Sequence, residues 1–188
     1  MANMFKSERL TYRAIEESDD PFLVSLHQDP EAYQNTVPWL PVPQGKKSAP
    51  QHREHFERCM LAAMICIYDA AEDTPIGLVT MKDTNIPPNG KHIRHAKIGI
   101  NIKREYQGRG FGKEAVKWLL HWGFRRAGLH KISLTVYEYN TSAIKLYEKL
   151  GFVLEARLRD EVWHDGRFWE DYIYSMLEDE WRQLDKTP

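Results

Sequence analysis

The run Gln107-Gly108-Arg109-Gly110-Phe111-Gly112 carries the densest chemical signal in the chain. It separates an alternating apolar stretch, Ala96 to Ile102, from an amphipathic one that begins at Phe111. Glycines at 108, 110 and 112 let backbone approach a ligand closely and adopt positive φ. The first N–H groups of a following helix have no partner within that helix, and its dipole adds positive potential, so the corner suits a pyrophosphate. Lys103, Arg104 and Arg109 stand near it in sequence as phosphate partners. Two common phosphate loops fail on spacing. The dinucleotide fingerprint needs a sixth-place glycine, where Lys113 stands, and the nucleoside-triphosphate loop needs Ser or Thr after Gly112-Lys113, where Glu114 stands. A glycine turn that merely precedes a packed helix stays open as the plainer reading.

The surrounding pattern predicts the elements that would position this corner. Leu10, Tyr12 and Ala14 alternate with Thr11 and Arg13, predicting a strand over Glu8 to Ile15. Ser18-Asp19-Asp20-Pro21 reads as a helix start, and the helix runs out near Asp29-Pro30. Prolines at 38, 41, 43 and 50 make Thr36 to Pro50 a loop or lid, followed by a polar helix from Gln51 to Leu61. Strands are expected over Met64 to Tyr68, Ile76 to Met81 and Ala96 to Ile102, with a turn over Asn85 to Lys91. Phe111 to Arg126 reads as an amphipathic helix stopped at Gly128, then Lys131 to Glu138 as a strand. Asn140 caps a helix that ends at Gly151. Phe152 to Trp163 and Arg167 to Met176 form a hairpin about Asp165-Gly166, and Leu177 to Leu184 a last helix. Strand–helix–strand order in the second half implies a right-handed crossover with locally parallel strands. The rest of the sheet is expected to be antiparallel, within one mixed α/β domain spanning 1–188.

Composition narrows the function classes. At 188 residues, 42% hydrophobic and 28% charged, the chain fits one globular domain. Lys plus Arg number 26 against 27 Asp plus Glu, a net charge of -1, so no general basic field serves nucleic acid or anionic lipid. Cys59 and Cys66 are too few for a disulfide framework and fall in no metal-ligand spacing. No signal-peptide core stands at the start, and no apolar run approaches the ~20 residues that span a bilayer. A cytoplasmic protein that binds neither nucleic acid, membrane nor metal is expected.

Two blocks together resemble a known family. Gln107-x-x-Gly110-x-Gly112 matches the Gln/Arg-x-x-Gly-x-Gly/Ala signature of the GNAT acetyltransferase superfamily. Asn140, Ala143, Leu146, Tyr147, Glu148, Gly151 and Phe152 resemble that family's Asn-x-x-Ala-x-x-Leu-Tyr-Glu-x-x-Gly-Phe block. The likeness is clear from Ala96 to Met176 and weaker, by pattern, over Leu10 to Met81. It implies an α/β (α+β) GNAT, or acyl-CoA N-acyltransferase, fold: a single mixed, mostly antiparallel sheet of six to seven strands flanked by helices. It implies acetyl transfer from acetyl-CoA to a primary amine by direct attack in a ternary complex. It implies that Gln107 to Lys113 bind the coenzyme pyrophosphate, that Ile100, Asn101 and Ile102 hydrogen-bond pantetheine and polarise the thioester carbonyl, and that Asn140 and Ala143 contact the same arm. Tyr147, on the apolar stripe with Ala143 and Leu150, becomes the acid that protonates the departing thiolate. Many family members carry a glutamate base on the strand before the glycine turn, where this chain has His95, Lys97 and Asn101. Glu138 is the chosen base, with Asp83 and His95 as alternatives, and an α-amine with pKa near 8 needs none.

Phe152-x-x-Glu155, Arg159-Asp160, His164-Asp165-Gly166-Arg167 and Asp171 resemble the branch holding ribosomal-protein N-terminal and spermidine acetyltransferases. The resemblance places the acceptor between the first helical loop and the last hairpin, at Glu31, Tyr33, Trp39, Glu161, Trp163, Trp169 and Asp171. Aromatic rings with carboxylates suit a cationic amine. Trp39 reads either as a lid residue or as a ring packed on the core. The acceptor is expected to be a small amine, a polyamine in one version, or a peptide N-terminus. A non-catalytic acyl-CoA-binding module and an interaction protein using the aromatic tail remain alternatives, and exposed edges allow a homodimer.

Overall fold

The computed structural model describes residues 3–43, 45, 48–68, 73–83 and 92–184. The turn expected at Asn85 to Lys91 lies outside them. The strands are β1 (Leu10–Arg13), β2 (Leu61–Ile67), β3 (Thr74–Asp83), β4 (His95–Ile102), β5 (Lys131–Tyr137), β6 (Val153–His164) and β7 (Arg167–Leu177). The helices are α1 (Asp20–Gln28), α2 (Pro30–Gln34), α3 (Ala49–Glu57), α4 (Phe111–His121), α5 (Thr141–Lys149) and α6 (Glu178–Leu184). The strands form a seven-stranded mixed sheet in the order β1-β2-β3-β4-β5-β7-β6. Contacts divide the chain into two compact units, Met1–Lys82 with Gly99–Trp118, and Asp83–Ile98 with Leu119–Pro188.

In the first unit, β1, β2 and β3 pair antiparallel. Alternation buries Leu10 and Tyr12 of β1, and Tyr12 stacks on Trp118 at 3.7 Å between centroids. Leu23 and Leu26 of α1 pack on Met64, Cys66 and Leu78, with Phe22 and Phe56 against them. Gly77 is dictated by a close approach, because a Cβ there would lie 2.3 Å from the Asn101 carbonyl oxygen. Asp29-Pro30, expected as the end of one helix, also begins another. Asp29 Oδ1 accepts from the Glu31 and Ala32 amides at 3.1 and 3.2 Å, and Pro30 opens α2 without a lost donor. Strand β2 starts at Leu61 instead of Met64, because Leu61, Ala62 and Ala63 find partners in Met81, Thr80 and Val79.

In the second unit, the start of β4 pairs parallel with β5, His95 to Lys97 against Lys131 to Ser133. This is the crossover expected from the strand–helix–strand order. The antiparallel pairs β5–β7 and β6–β7 follow. The expected helix over Phe111 to Arg126 changes character at Trp122–Arg126, a π turn in which the Ala127 amide donates to the Trp122 carbonyl at 3.1 Å. Ile132, Leu134 and Val136 are buried along β5, while Lys131, Ser133, Thr135 and Tyr137 occupy its other face. The hairpin turn Asp165-Gly166 has φ of 48 and 82°, the positive pair that a two-residue turn of this hand requires. Gly151 ends α5 at φ 90°.

Candidate active site

The glycine corner belongs to the first unit. Gln107 to Gly110 are exposed, with Gly108 at φ 73° and Gly110 at φ 83°. The Gln107 side-chain amide donates to the Ile102 carbonyl at 2.7 Å, tying the corner to the end of β4. Helical bonding begins with the Glu114 amide donating to the Gly110 carbonyl at 3.2 Å. The amides of Phe111, Gly112 and Lys113 therefore precede the helical ladder, as an anion site needs.

One carboxylate stands in that first turn, Glu114, which would oppose an anion if left alone. Arg9 answers it. Its Nε donates to Glu114 Oε2 at 2.9 Å, its backbone amide donates to Oε1 at 2.7 Å, and Ser7 Oγ donates to Oε1 at 2.7 Å. Burial alone would raise the Glu114 pKa, but the bonds from Ser7 and Arg9 outweigh it and hold the group lowered. Arg9 Nη1 also donates to the Arg109 carbonyl at 3.1 Å, and its guanidinium lies 4.6 Å over the Phe111 ring. Arg9 thus braces the corner, a role no local sequence signal carries because its partners lie 100 and more residues away.

The phosphate partners divide. Arg109 is exposed, 5.6 Å over the Tyr106 ring, and pairs with no carboxylate among the described residues. Lys103 reaches Glu105 at 3.2 Å. Arg104 instead grips Asp29 through two bonds of 2.7 and 2.8 Å and meets Glu31 at 2.6 Å. Those bonds hold the Asp29 pKa down. Glu31, expected at the acceptor, is therefore paired with Arg104, expected at the phosphates. Ile102 is buried, and Ile100 and Asn101 are half-buried on β4. Trp39 is 67% exposed and does not pack on the core.

In the second unit, Asn140 caps α5 by accepting from the Ala143 amide at 3.2 Å. Tyr147 is buried, its ring 5.6 Å from Phe152, and its hydroxyl has no hydrogen-bond partner among the described residues. Burial pushes the phenol up to about 12, which keeps it protonated. Glu138 closes a local exchange with β7: its amide donates to the Glu170 carbonyl at 3.0 Å, and its Oε2 accepts from the Glu170 amide at 3.3 Å. His95 Nε2 bonds Ser133 Oγ at 2.9 Å, and burial followed by Lys131 lowers its pKa. Asp83 ends β3, exposed.

The hairpin carries an aromatic wall. Tyr139 stacks on His164 at 4.2 Å, meets Trp169 edge-on at 5.5 Å and touches Tyr137 at 5.4 Å. Trp169 Nε1 donates to the His164 carbonyl at 2.9 Å, fixing its ring. Asp171 stands two residues further along β7, on the same face as Trp169 and opposite Tyr137. Trp163 is 58% exposed against Phe168, and Glu161 is exposed. Among the described residues no three His, Cys, Asp or Glu side chains group to hold a metal. No helix of the described residues is long and apolar enough to cross a membrane.

Comparison with known proteins gives this geometry a context. The Acetyltransferase (GNAT) domain family matches residues 9–153. The uncharacterized N-acetyltransferase p20 of Bacillus licheniformis is 32% identical over 177 residues, 93% of this chain and 96% of that one. Spermidine N(1)-acetyltransferase of Vibrio cholerae is 30% identical over 165 residues, 86% of this chain and 89% of that one. The crystal structure of the Vibrio cholerae spermidine N-acetyltransferase in complex with CoA and spermine matches with a TM-score of 0.78 at 27% identity. It covers 94% of this chain and 99% of that one.

Proposed function

The chain belongs to the GNAT family of acetyl-CoA-dependent N-acetyltransferases, and from that premise we propose that its acceptor is a small alkylammonium of polyamine type. The observation that carries this reading is the aromatic wall of Tyr139, His164 and Trp169 with the Asp171 carboxylate at its foot. Ring faces attract an alkylammonium through their quadrupoles, and a carboxylate fixes the charged end. The relative named for spermidine supports the same class.

The chemistry assigns work to each group. Acetyl-CoA supplies a thioester carbonyl open to attack. The amides of Phe111 to Lys113 hold its diphosphate with Arg109, while Arg9 keeps Glu114 from repelling it. Ile100 to Ile102 offer main-chain groups to the pantetheine arm, because pairing of β4 with β5 ends at Lys97. Tyr147, kept neutral by burial, gives its proton to the departing sulfur. We place the enzyme in the cytoplasm, where the thiols of Cys59 and Cys66 stay reduced.

Release of free coenzyme A is the test, followed with acetyl-CoA against polyamines, amino acids, aminoglycosides and short peptides with free N-termini. Polyamines or simple diamines are expected to lead by at least about tenfold in kcat/KM. Turnover confined to peptide N-termini sinks the acceptor assignment, and binding of acetyl-CoA without turnover on any amine points to a non-catalytic module.

A further inference from the structure

We propose that Asp171 is the proton acceptor that turns the bound alkylammonium into the attacking amine, an assignment that rests on the small-cation reading above. A primary alkylammonium has a pKa of about 10.4, so roughly one molecule in a thousand is neutral near physiological pH. Something must take the proton where the amine sits, and the groups first suited to that role are used otherwise. Glu138 accepts from the Glu170 amide, and His95 is bonded to Ser133.

Asp171 differs from both. It lies on β7, paired with Tyr137 of β5 on one side and Leu158 of β6 on the other. Its Oδ1 is buried without a hydrogen-bond partner among the described residues. A carboxylate oxygen in that state is costly to keep unless a cationic donor completes it during function. The groups acting on it come from β4, β6 and β7 itself. Burial raises its pKa most; Lys97 of β4 opposes, Glu161 of β6 adds to the rise, and a backbone bond at Tyr172 opposes it. Tyr137 and Tyr139 feel its charge in turn: burial first, then Asp171, raises both phenols, Tyr139 to about 12. Neither phenol therefore competes as a base near neutral pH. A carboxylate with a raised pKa is a stronger proton acceptor than an exposed one, and the wall of Tyr139 and Trp169 beside it suits the amine's alkyl chain.

The step balances. The ammonium N–H bond breaks, its electron pair stays on nitrogen, and the proton forms an O–H bond on Asp171. The nitrogen attacks the acetyl carbon, the C–S bond breaks, and Tyr147 gives its proton to the sulfur. The second proton lost from nitrogen restores the Tyr147 hydroxyl, and Asp171 returns the first to solvent. The net products are the amide, the free thiol and one proton.

The test compares wild type with Asp171→Asn on an alkyl diamine and on trifluoroethylamine, which is largely neutral near physiological pH because its fluorines withdraw electron density from nitrogen. The substitution is expected to lower kcat/KM for the diamine at least about a hundredfold while changing that for trifluoroethylamine less than about threefold. The acid limb of the wild-type kcat/KM–pH profile on the diamine should give way in the variant to a single rise toward the amine's own pKa of about 10.4. Its Tm should stay at or above the wild-type value, which shows the fold intact. A loss on the diamine confined to KM, with kcat unchanged, would reduce Asp171 to a binding group and overturn the proposal, as would equal losses on both acceptors or a variant as fast as wild type on the diamine. Wild-type protein that turns over peptides but neither amine overturns the small-cation reading and this assignment together.

Discussion

Replacing Tyr147 by Phe deletes one oxygen and leaves the ring in place, so it separates chemistry from folding unusually well. The ring is buried and packs edge-on against Phe152, contacts that Phe retains. Burial raises the phenol pKa with no hydrogen bond contributing, so removing the hydroxyl strands no donor or acceptor among the described residues. Stability should therefore change by less than about 0.5 kcal/mol, a Tm shift of no more than about 2 °C at this size. Turnover should behave differently. A positioned acid contributes about a hundredfold or more, and solvent or a neighbouring donor can replace part of that. A fall in kcat of at least about tenfold, near 1.4 kcal/mol of barrier, is expected. The acetyl-CoA dissociation constant should be unchanged, because the lost group acts on the departing sulfur and not on the bound thioester. Burial holds the phenol at about 12, so Tyr147 should add no basic limb near the ordinary phenol value of about 10. Steady-state coenzyme A release across pH, calorimetric binding of acetyl-CoA and thermal unfolding together decide it. An unaltered kcat removes Tyr147 from the chemistry, and a large Tm loss refutes the reading of an unpartnered hydroxyl.

Arg9→Ala removes the brace of the glycine corner and leaves Glu114 facing the anion site, so KM for acetyl-CoA should rise about tenfold with kcat within about twofold, by initial-rate titration. Gly77→Ala would place a Cβ 2.3 Å from a backbone oxygen of Asn101 that cannot rotate away, and a urea midpoint should report a loss of about 3 kcal/mol or more. Gly108→Ala meets no atom within 4 Å and carries only the left-handed penalty, about 1 kcal/mol in the same measurement. Asp19 is buried against Arg13 through bonds of 2.7 and 2.8 Å; burial alone would raise its pKa, but the Arg13 bonds and charge together with the Glu16 amide outweigh it and lower it. That stabilisation is fully present above the unfolded carboxylate value of about 3.9 and is lost as pH falls through the lower folded pKa. Asp19→Asn should thus cost about 2 kcal/mol at neutral pH, with Arg13 partly solvated, and the gap to wild type should close in acid.

Much of this protein is determined locally and can be read from its chain. Period-two alternation fixed β4 and β5, and Asn140, Gly151 and Asp165-Gly166 marked the cap, the stop and the turn where the backbone uses them. Each is a decision made within a few residues, by φ preference or a short hydrogen bond. The glycine corner is of the same kind, since its open amides follow from a strand, a turn and a helix start in sequence. Helix α2 is not marked by its sequence, because Asp29-Pro30 serves equally as the end of one helix and the cap of the next, and β2 starts at Leu61 because its first residues depend on β3. The tertiary structure alone decided who neutralises whom. Arg104 went to Asp29 and Glu31, Arg9 came from the far end of the sequence to Glu114, and Asp171 was left half-buried with one oxygen that no described residue meets. Charge pairing and desolvation depend on distances across elements, and no period or spacing in the chain encodes those.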